Sequence, residues 1–183
     1  GWKVSALGLG CMRLPPRRIN RIRADTKKSI DLIRYGIDKG INYVDTAWPY
    51  HLGDSERILG DALKDGYREK IYLVTKLPMF MVRKAKDFDK YLTSQMKRLQ
   101  TDYLDSYFFH MLNKGQFEKI KKLELLNKME EAKKEGLIRS IGFSFHDTLP
   151  VFKEIIDYYP WDITLIQYNY MDTCFQASTE GLV

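Results

Sequence analysis

Short apolar segments typical of buried strands alternate along the chain with segments whose apolar residues recur at helical spacing. Six strands are predicted, at 7–12, 41–47, 71–76, 103–110, 140–145 and 163–170. A helix or a helix-length segment separates each strand from the next. Because parallel strands are joined by such crossovers, the pattern predicts a run of βα units around a parallel sheet.

The predicted helices have recognisable ends. The longest is predicted over 117–134, with Gly136 just past its end. Its inner face is predicted to carry Ile120, Leu123, Leu126 and Met129. Ser55 is predicted to cap the second helix, and Asp147 or Thr148 the helix after the fifth strand.

The six βα units, with no second-domain linker between them, predict one α/β domain over residues 1–183. We expect a (β/α)8 TIM barrel of which about six of the eight units are present, since a complete barrel takes about 250 residues. The rival fold is a doubly wound open sheet. Against it, Gly8-Leu9-Gly10 continues into Cys11-Met12-Arg13 without the third glycine of the G-x-G-x-x-G fingerprint.

The composition is that of a protein with a buried core, because 44% of the residues are hydrophobic. No apolar run approaches the length of a membrane span, and the start of the chain lacks the zones of a secretory signal. We therefore expect a cytoplasmic protein with no membrane partner. Cys11 and Cys174 lie far apart without metal-ligand spacing, so reduced thiols and no metal site are expected.

The net charge of +6 comes mostly from basic residues mixed with acids along helix-like faces. One loop concentrates positive charge and carries Arg17, Arg18, Arg21 and Arg23. Such a cluster can be a solvated loop or a contact for phosphate or nucleic acid. The solvated loop is the simpler interpretation, so no nucleic-acid partner is expected.

Polar side chains stand near the ends of consecutive predicted strands. Asp45, Lys76 and His110 lie near the ends of the second, third and fourth strands. Tyr50 lies on the loop that follows Asp45. Taken singly, each has a structural explanation, as a loop cap, a strand end or a core histidine. Because parallel barrel strands all open on one face, we expect these side chains to meet there and to form a site.

Acid–base chemistry is the natural use of this set. A tyrosine phenol has an ordinary pKa of about 10, which is too high for easy proton exchange, and a nearby ammonium lowers it. Lys76 can supply that charge to Tyr50. Asp45 would then balance Lys76, so that neither charge is buried alone. His110 can donate a hydrogen bond to a carbonyl oxygen or relay a proton.

These residues resemble the aldo-keto reductase superfamily, NAD(P)H-dependent enzymes built on a (β/α)8 barrel. The matching segments are Asp45-Thr46-Ala47-Trp48-Pro49-Tyr50, Val74-Thr75-Lys76, Tyr107-Phe108-Phe109-His110 and Gly10-Cys11-Met12-Arg13. The resemblance implies that Tyr50 is the general acid, that Lys76 and Asp45 tune it, and that His110 orients the substrate. It implies reduction of an aldehyde or ketone, a small-molecule carbonyl substrate, to an alcohol with NADP or NAD.

Two further residues are implied to hold the nicotinamide carboxamide. They are Ser144, in Gly142-Phe143-Ser144-Phe145, and Gln167 in the sixth strand. A hydroxyl and an amide suit this role because both can orient a flat polar ring. Phe145 stands where the family usually has asparagine, which implies that one contact is lost or is replaced, for instance by His146.

Alternatives to a simple reductase stay open. The same fold can serve a cofactor-sensing regulatory or binding protein, although sensing needs no acid. Segments 48–51, 142–147 and 167–172 also resemble a subgroup whose barrel precedes a ferredoxin-like iron-sulfur segment. That resemblance implies an electron-transfer-coupled reductase with a cluster beyond residue 183. Because six strands leave two open sheet edges, we expect the chain to be part of a longer barrel and inactive alone. The substrate, the choice between NADH and NADPH, and the oligomeric state are left open.

Overall fold

The computed structural model describes residues 3–169, 171–177, 179 and 181. These residues contain a six-stranded sheet in which each strand pairs in parallel with the next one along the chain. The strands are β1 (Leu9–Gly10), β2 (Tyr43–Asp45), β3 (Tyr72–Leu77), β4 (Ser106–Leu112), β5 (Ile141–Phe145) and β6 (Ile163–Leu165). All six predicted strands are therefore present, although β1, β2 and β6 are shorter than predicted.

The strand order decides between the two predicted architectures. It runs β1-β2-β3-β4-β5-β6 without reversal. A doubly wound sheet reverses its order at a switch point, whereas a barrel is wound in one direction. The rival is therefore wrong, and six units of a (β/α)8 barrel are confirmed.

Helices connect the strands on the outside of the sheet. They are α1 (Thr26–Asp38), α2 (Asp54–Ala62), α3 (Lys86–Leu99), α4 (Lys114–Lys122), α5 (Leu125–Lys134) and α6 (Leu149–Tyr158). Thr148, one of the two predicted caps, is the N-cap residue of α6, although its side chain makes no capping hydrogen bond. Within the described ranges, every helix is too short or too polar to cross a lipid bilayer.

The prediction of one helix over 117–134 is wrong, because α4 and α5 are separate. The helical conformation is interrupted at Glu124, whose φ of +52° lies in the left-handed region. An unbroken helix advances about 100° per residue, which would turn Leu125 about 140° away from Ile120. The break restores the phase, so both residues are fully buried. Leu123 and Leu126, which were expected to face inward, are only partly buried.

The prediction that Ser55 caps α2 is wrong. It lies in the first turn, and the N-cap position belongs to Gly53, at a left-handed φ of +87°. The Ser55 hydroxyl is buried, donates to the carbonyl of Cys11 at 3.0 Å and contacts the Thr46 hydroxyl at 2.8 Å. It therefore ties α2 to the chain after β1 and β2. Tyr170, the last residue of the predicted sixth strand, lies outside the described residues.

The apolar core lies between the sheet and the helices. One part is an aromatic cluster in which Phe143 and Phe145 of β5 pack against Phe152 of α6, with Trp161 on Phe143. β5 passes close to its neighbours at Gly142, where a Cβ atom would lie 2.5 Å from the backbone of the next strand. This packing fixes β4, β5 and β6, whose carboxyl ends carry part of the candidate site.

Candidate active site

A buried ion pair joins the ends of β2 and β3. Lys76 is only 1% exposed, and its Nζ donates to the carboxylate of Asp45 and to the carbonyl of Thr46, the latter at 2.8 Å. A lone charge in this position would carry a large desolvation cost. The pair therefore supplies the partner that the carboxylate at the end of β2 requires, as the sequence predicted.

Tyr50 lies beside this pair, on the short turn Tyr50–Gly53 that precedes α2 and in which His51 and Leu52 take left-handed φ values of +53° and +57°. Its hydroxyl is 3.5 Å from the Lys76 Nζ, and that ammonium lies 5.0 Å from the ring centroid. Burial raises the pKa of Tyr50, Lys76 opposes the rise, and Asp45 adds to it. Lys76 thus acts in the expected direction but does not outweigh burial. The phenol is therefore protonated at neutral pH and can donate its proton.

His110 of β4 completes the group. Its ring lies 5.8 Å from the Tyr50 ring, with the two planes at 79°. Burial, then the charge of Lys76 and then that of His146, lower the pKa of His110 to about 3. The imidazole is therefore neutral at neutral pH, with one nitrogen as donor and the other as acceptor. Its Nδ1 is buried and has no hydrogen-bond partner among the described residues.

The backbone after His110 is irregular in a way that reaches β5. The register between β4 and β5 shifts between Phe109 and Leu112, and Met111 takes a left-handed φ of +58°. The Met111 N–H donates to the hydroxyl of Ser144 at 2.8 Å. A bulge of this kind re-aims neighbouring side chains at a site. Because the Ser144 oxygen accepts here, its own hydrogen stays available for a further acceptor.

Gln167 and the unusual Phe145 have different positions. Gln167 is half-buried and follows the end of β6. Phe145 is buried and packs on Phe152 of α6 at 5.1 Å, so its side chain lies in the core between the sheet and α6. His146, which follows it, lines the cleft in front of Tyr50. Phe145, the residue that departs from the expected asparagine, therefore packs against α6.

The cleft has a volume of about 790 Å³, and Tyr50 and His110 lie in its wall. Met12 and Ile22 add apolar surface, and Arg13 adds a charge. The cleft is thus open in front of the phenol and the imidazole, with the buried Lys76 behind them. A small molecule with a polar reacting atom fits such a site.

A buried polar network beneath the site escaped the sequence reasoning. The carboxylate of Glu56, fully buried in α2, accepts from Thr75 at 2.8 Å, from Gln95 at 2.5 Å and from Arg98 at 3.1 Å. The Gln95 amide nitrogen also lies 3.1 Å from the carbonyl of Lys76. These contacts fix β3 at the position where the ammonium projects.

The same network holds the loop that carries Tyr50. The Arg98 guanidinium stacks 3.5 Å above the ring of Trp48, which in turn packs edge-on against Tyr91 at 4.9 Å. A sequence signal did exist, because Glu56 shares the i, i+3 spacing of the apolar face of α2 with Leu59. An acid on an apolar helix face needs a buried partner.

Neither cysteine forms a disulfide within the described part of the chain. Cys11 is buried near Asp45, and burial followed by that carboxylate raises the pKa of its thiol to about 12. Cys174 is an exposed free thiol. The described ranges also contain no group of three His, Cys, Asp or Glu residues arranged to hold a metal ion.

Comparison with known proteins gives the family. The family model described as "Aldo/keto reductase family" matches residues 6–182. The chain belongs to the aldo/keto reductase family. The resemblance drawn from the four segments is therefore confirmed at this level, and the aldo/keto reductase barrel accounts for the six parallel strands.

Curated relatives match it over part of their length. The chain is 35% identical to the aldo-keto reductase YhdN of Bacillus subtilis, over 79% of this chain and 44% of the relative. It is 29% identical to the NADH-specific methylglyoxal reductase of Escherichia coli, over 94% of this chain and 58% of the relative. The chain thus spans about half the length of these two curated relatives.

Solved structures agree with this assignment. The aldo-keto reductase AKR11C1 from Bacillus halodurans, in its holo form, superposes with a TM-score of 0.74 at 30% identity, over 90% of this chain and 54% of that one. An aldo-keto reductase from Klebsiella pneumoniae in complex with NADPH gives a TM-score of 0.67 at 31% identity, over 82% and 50%. The aldo/keto reductase fold is thus shared with proteins solved with their cofactor.

Proposed function

We propose that this protein reduces an aldehyde or ketone to an alcohol with NAD(P)H. One observation carries the proposal: the buried ammonium of Lys76 contacts both the Asp45 carboxylate and the Tyr50 hydroxyl at the wall of an open cleft. Membership of the aldo/keto reductase family supports it. So does the relative that is named a methylglyoxal reductase.

Tyr50 is the proposed general acid. In carbonyl reduction, negative charge develops on the carbonyl oxygen and a proton must reach it. The raised pKa of Tyr50 keeps the proton on the phenol at neutral pH until it is transferred. Lys76 stabilises the tyrosinate that forms, since it opposes the effect of burial. Asp45 holds Lys76 in place and keeps the pair close to neutral.

His110 is the proposed orienting group. Its low pKa keeps the imidazole neutral, so one ring nitrogen donates a hydrogen bond to the carbonyl oxygen. A neutral donor polarises the carbonyl without adding a second charge next to Lys76. Placement of both donors on the oxygen selects one orientation of the substrate.

Ser144 and Gln167 suit one end of a nicotinamide cofactor. The Ser144 hydroxyl already accepts from the Met111 N–H, and its free hydrogen can be donated to a carboxamide oxygen. Gln167 offers an amide from the adjacent strand end. We propose that these residues hold the carboxamide of NADP or NAD, and a bound nicotinamide supplies a hydride. The complex of the Klebsiella pneumoniae reductase with NADPH supports NADP.

The wider organisation stays a proposal as well. We propose that residues 1–183 form one part of a reductase barrel and are inactive as a free polypeptide. The iron-sulfur segment implied by the subgroup resemblance concerns sequence beyond residue 183 and stays a prediction. The same holds for a cytoplasmic location and for the expected absence of a nucleic-acid partner.

The first experiment distinguishes a reductase from a cofactor sensor. This experiment and the activity measurements below use the longer barrel that contains residues 1–183, because the free polypeptide is proposed to be inactive. That protein is incubated with NADPH and, separately, with NADH, together with short aldehydes and ketones, and alcohol formation is measured by chromatography. Stoichiometric loss of the reduced cofactor and formation of alcohol support the reductase. Saturable nucleotide binding with no alcohol from any carbonyl compound would establish the sensor instead.

A further inference from the structure

The arginine-rich loop after β1 forms one side of the cleft. It is closed at its base by two backbone hydrogen bonds, from Arg17 to Arg23 at 2.9 Å and from Asp25 to Pro15 at 2.7 Å. Its arginines are therefore displayed on a folded loop. Such a loop can place a charge at a defined position.

His51 fastens this loop next to the proposed acid. The His51 Nε2 accepts from the backbone N–H of Leu14 at 3.1 Å, and its Nδ1 lies 3.1 Å from the carbonyl of Ile22. A neutral ring that is protonated on Nδ1 satisfies both contacts. Because His51 directly follows Tyr50, the position of the loop is coupled to the position of the phenol.

Four of the five arginines between positions 13 and 23 divide into two groups, and the fifth, Arg18, is exposed and does not line the cleft. Arg23 and Arg17 lie 2.9 Å and 4.0 Å from the carboxylate of Asp54, so one acid partly neutralises both. Arg13 and Arg21 instead line the cleft, and neither has an acidic partner among the described residues. Within the described part of the chain, Arg13 and Arg21 thus combine a place in the lining of the cleft with the lack of an acidic partner.

The cleft holds no opposing charge in the described part of the chain, since no Asp or Glu side chain lines it. Its other titratable residues are tyrosine and histidines, and burial lowers the pKa of His146. Asp45 is used by Lys76 behind Tyr50. A cleft that is lined by charges of one sign and has low-dielectric walls attracts ligands of the opposite charge.

We propose that Arg13 and Arg21 form a subsite for an anionic group of the substrate, so that the preferred substrates are carbonyl compounds that also carry a carboxylate or a phosphate. The guanidinium fork matches both groups. The carbonyl would lie at Tyr50 and His110, and the anion at the arginines. This inference rests on the proposed carbonyl reduction and specifies its substrate class.

The test uses pairs of carbonyl compounds that differ in charge. 4-Formylbenzoate is compared with its methyl ester, and glycolaldehyde phosphate with glycolaldehyde, by kcat/KM at saturating reduced cofactor. We expect the anionic member of at least one pair to be preferred by about tenfold or more, and the preference to fall with added salt. A preference in only one pair identifies the anion as carboxylate or as phosphate.

Variants then assign the preference to the two residues. Arg13→Gln and Arg21→Gln are each expected to reduce the ratio of kcat/KM between anionic and neutral members by about tenfold. Arg18→Gln removes the same charge from an exposed position in the same loop that does not line the cleft, and should keep the ratio. Arg21→Lys should retain part of it, because a lysine keeps the charge but not the fork.

The outcomes separate this inference from the proposed function. Equal kcat/KM for charged and neutral members would overturn the subsite and leave carbonyl reduction standing. A loss of nucleotide affinity in the Arg13 or Arg21 variants, with an unchanged substrate ratio, would show that these residues bind the cofactor and would overturn the subsite. Absence of reduction of every compound in both pairs would overturn both.

Discussion

The protonation state of His110 makes stability depend on pH in a defined way. An exposed histidine in the unfolded chain has a pKa of about 6.5, whereas the folded protein lowers it to about 3. As the pH falls below about 6.5, the unfolded chain takes up a proton that the folded chain does not, so folding becomes less favourable. The penalty grows by about 1.4 kcal/mol per pH unit until the pH approaches the folded value.

The expected size follows from the two values. Between about pH 7.5 and about pH 5, the wild type should lose about 2 kcal/mol of unfolding free energy through this residue. The His110→Gln variant cannot show this loss of unfolding free energy, since glutamine does not titrate. Lys76 and His146, the other charged or titratable neighbours that act on His110, are present in both proteins. The difference between the two proteins therefore isolates the imidazole.

Urea unfolding followed by circular dichroism, at both pH values and for both proteins, measures this difference. The wild type should lose about 2 kcal/mol more than His110→Gln on going to the lower pH. An equal loss in the two proteins would mean that His110 is solvated or charged in the folded state. The proposed role of a neutral donor would then be wrong.

Further substitutions test the packing and the charges. Glu56→Ala should cost about 3–5 kcal/mol by leaving Arg98 without its buried carboxylate, and an unfolding free energy within about 1 kcal/mol of wild type would contradict that. Gly142→Ala should cost about 1–3 kcal/mol, because its Cβ would meet backbone at 2.5 Å, and an unchanged thermal midpoint would refute the contact. Lys76→Met should lower kcat by about a hundredfold or more, and wild-type turnover in that variant would exclude the ammonium from the reaction.

Local sequence patterns were sufficient for the fold. The alternation of strands and helices depends on residues that are close together in sequence, so the six strands follow from it. The break at Glu124 could not be predicted in this way, because apolar spacing alone fits one continuous helix with Leu123 and Leu126 inward. Only the sheet beneath requires both Ile120 and Leu125 to be buried.

The site was predictable in its members more than in its electrostatics. Asp45, Tyr50 and Lys76 could be brought together from strand ends alone, since parallel strands open on one face. The direction of the shift in the pKa of Tyr50 could not be predicted, because burial of the phenol depends on chain segments that are distant in sequence. The partners of Glu56 were hidden for the same reason, since Gln95 and Arg98 reach it from α3.

Tyr50→Phe is the most direct test of the account, because it removes the phenolic proton and keeps the ring. Turnover of a good carbonyl substrate and the dissociation constant of NADPH are measured for both proteins. We expect kcat to fall by about a hundredfold or more, with the dissociation constant nearly unchanged. Turnover close to that of the wild type, with nucleotide bound, would contradict the assignment of Tyr50 as the proton donor.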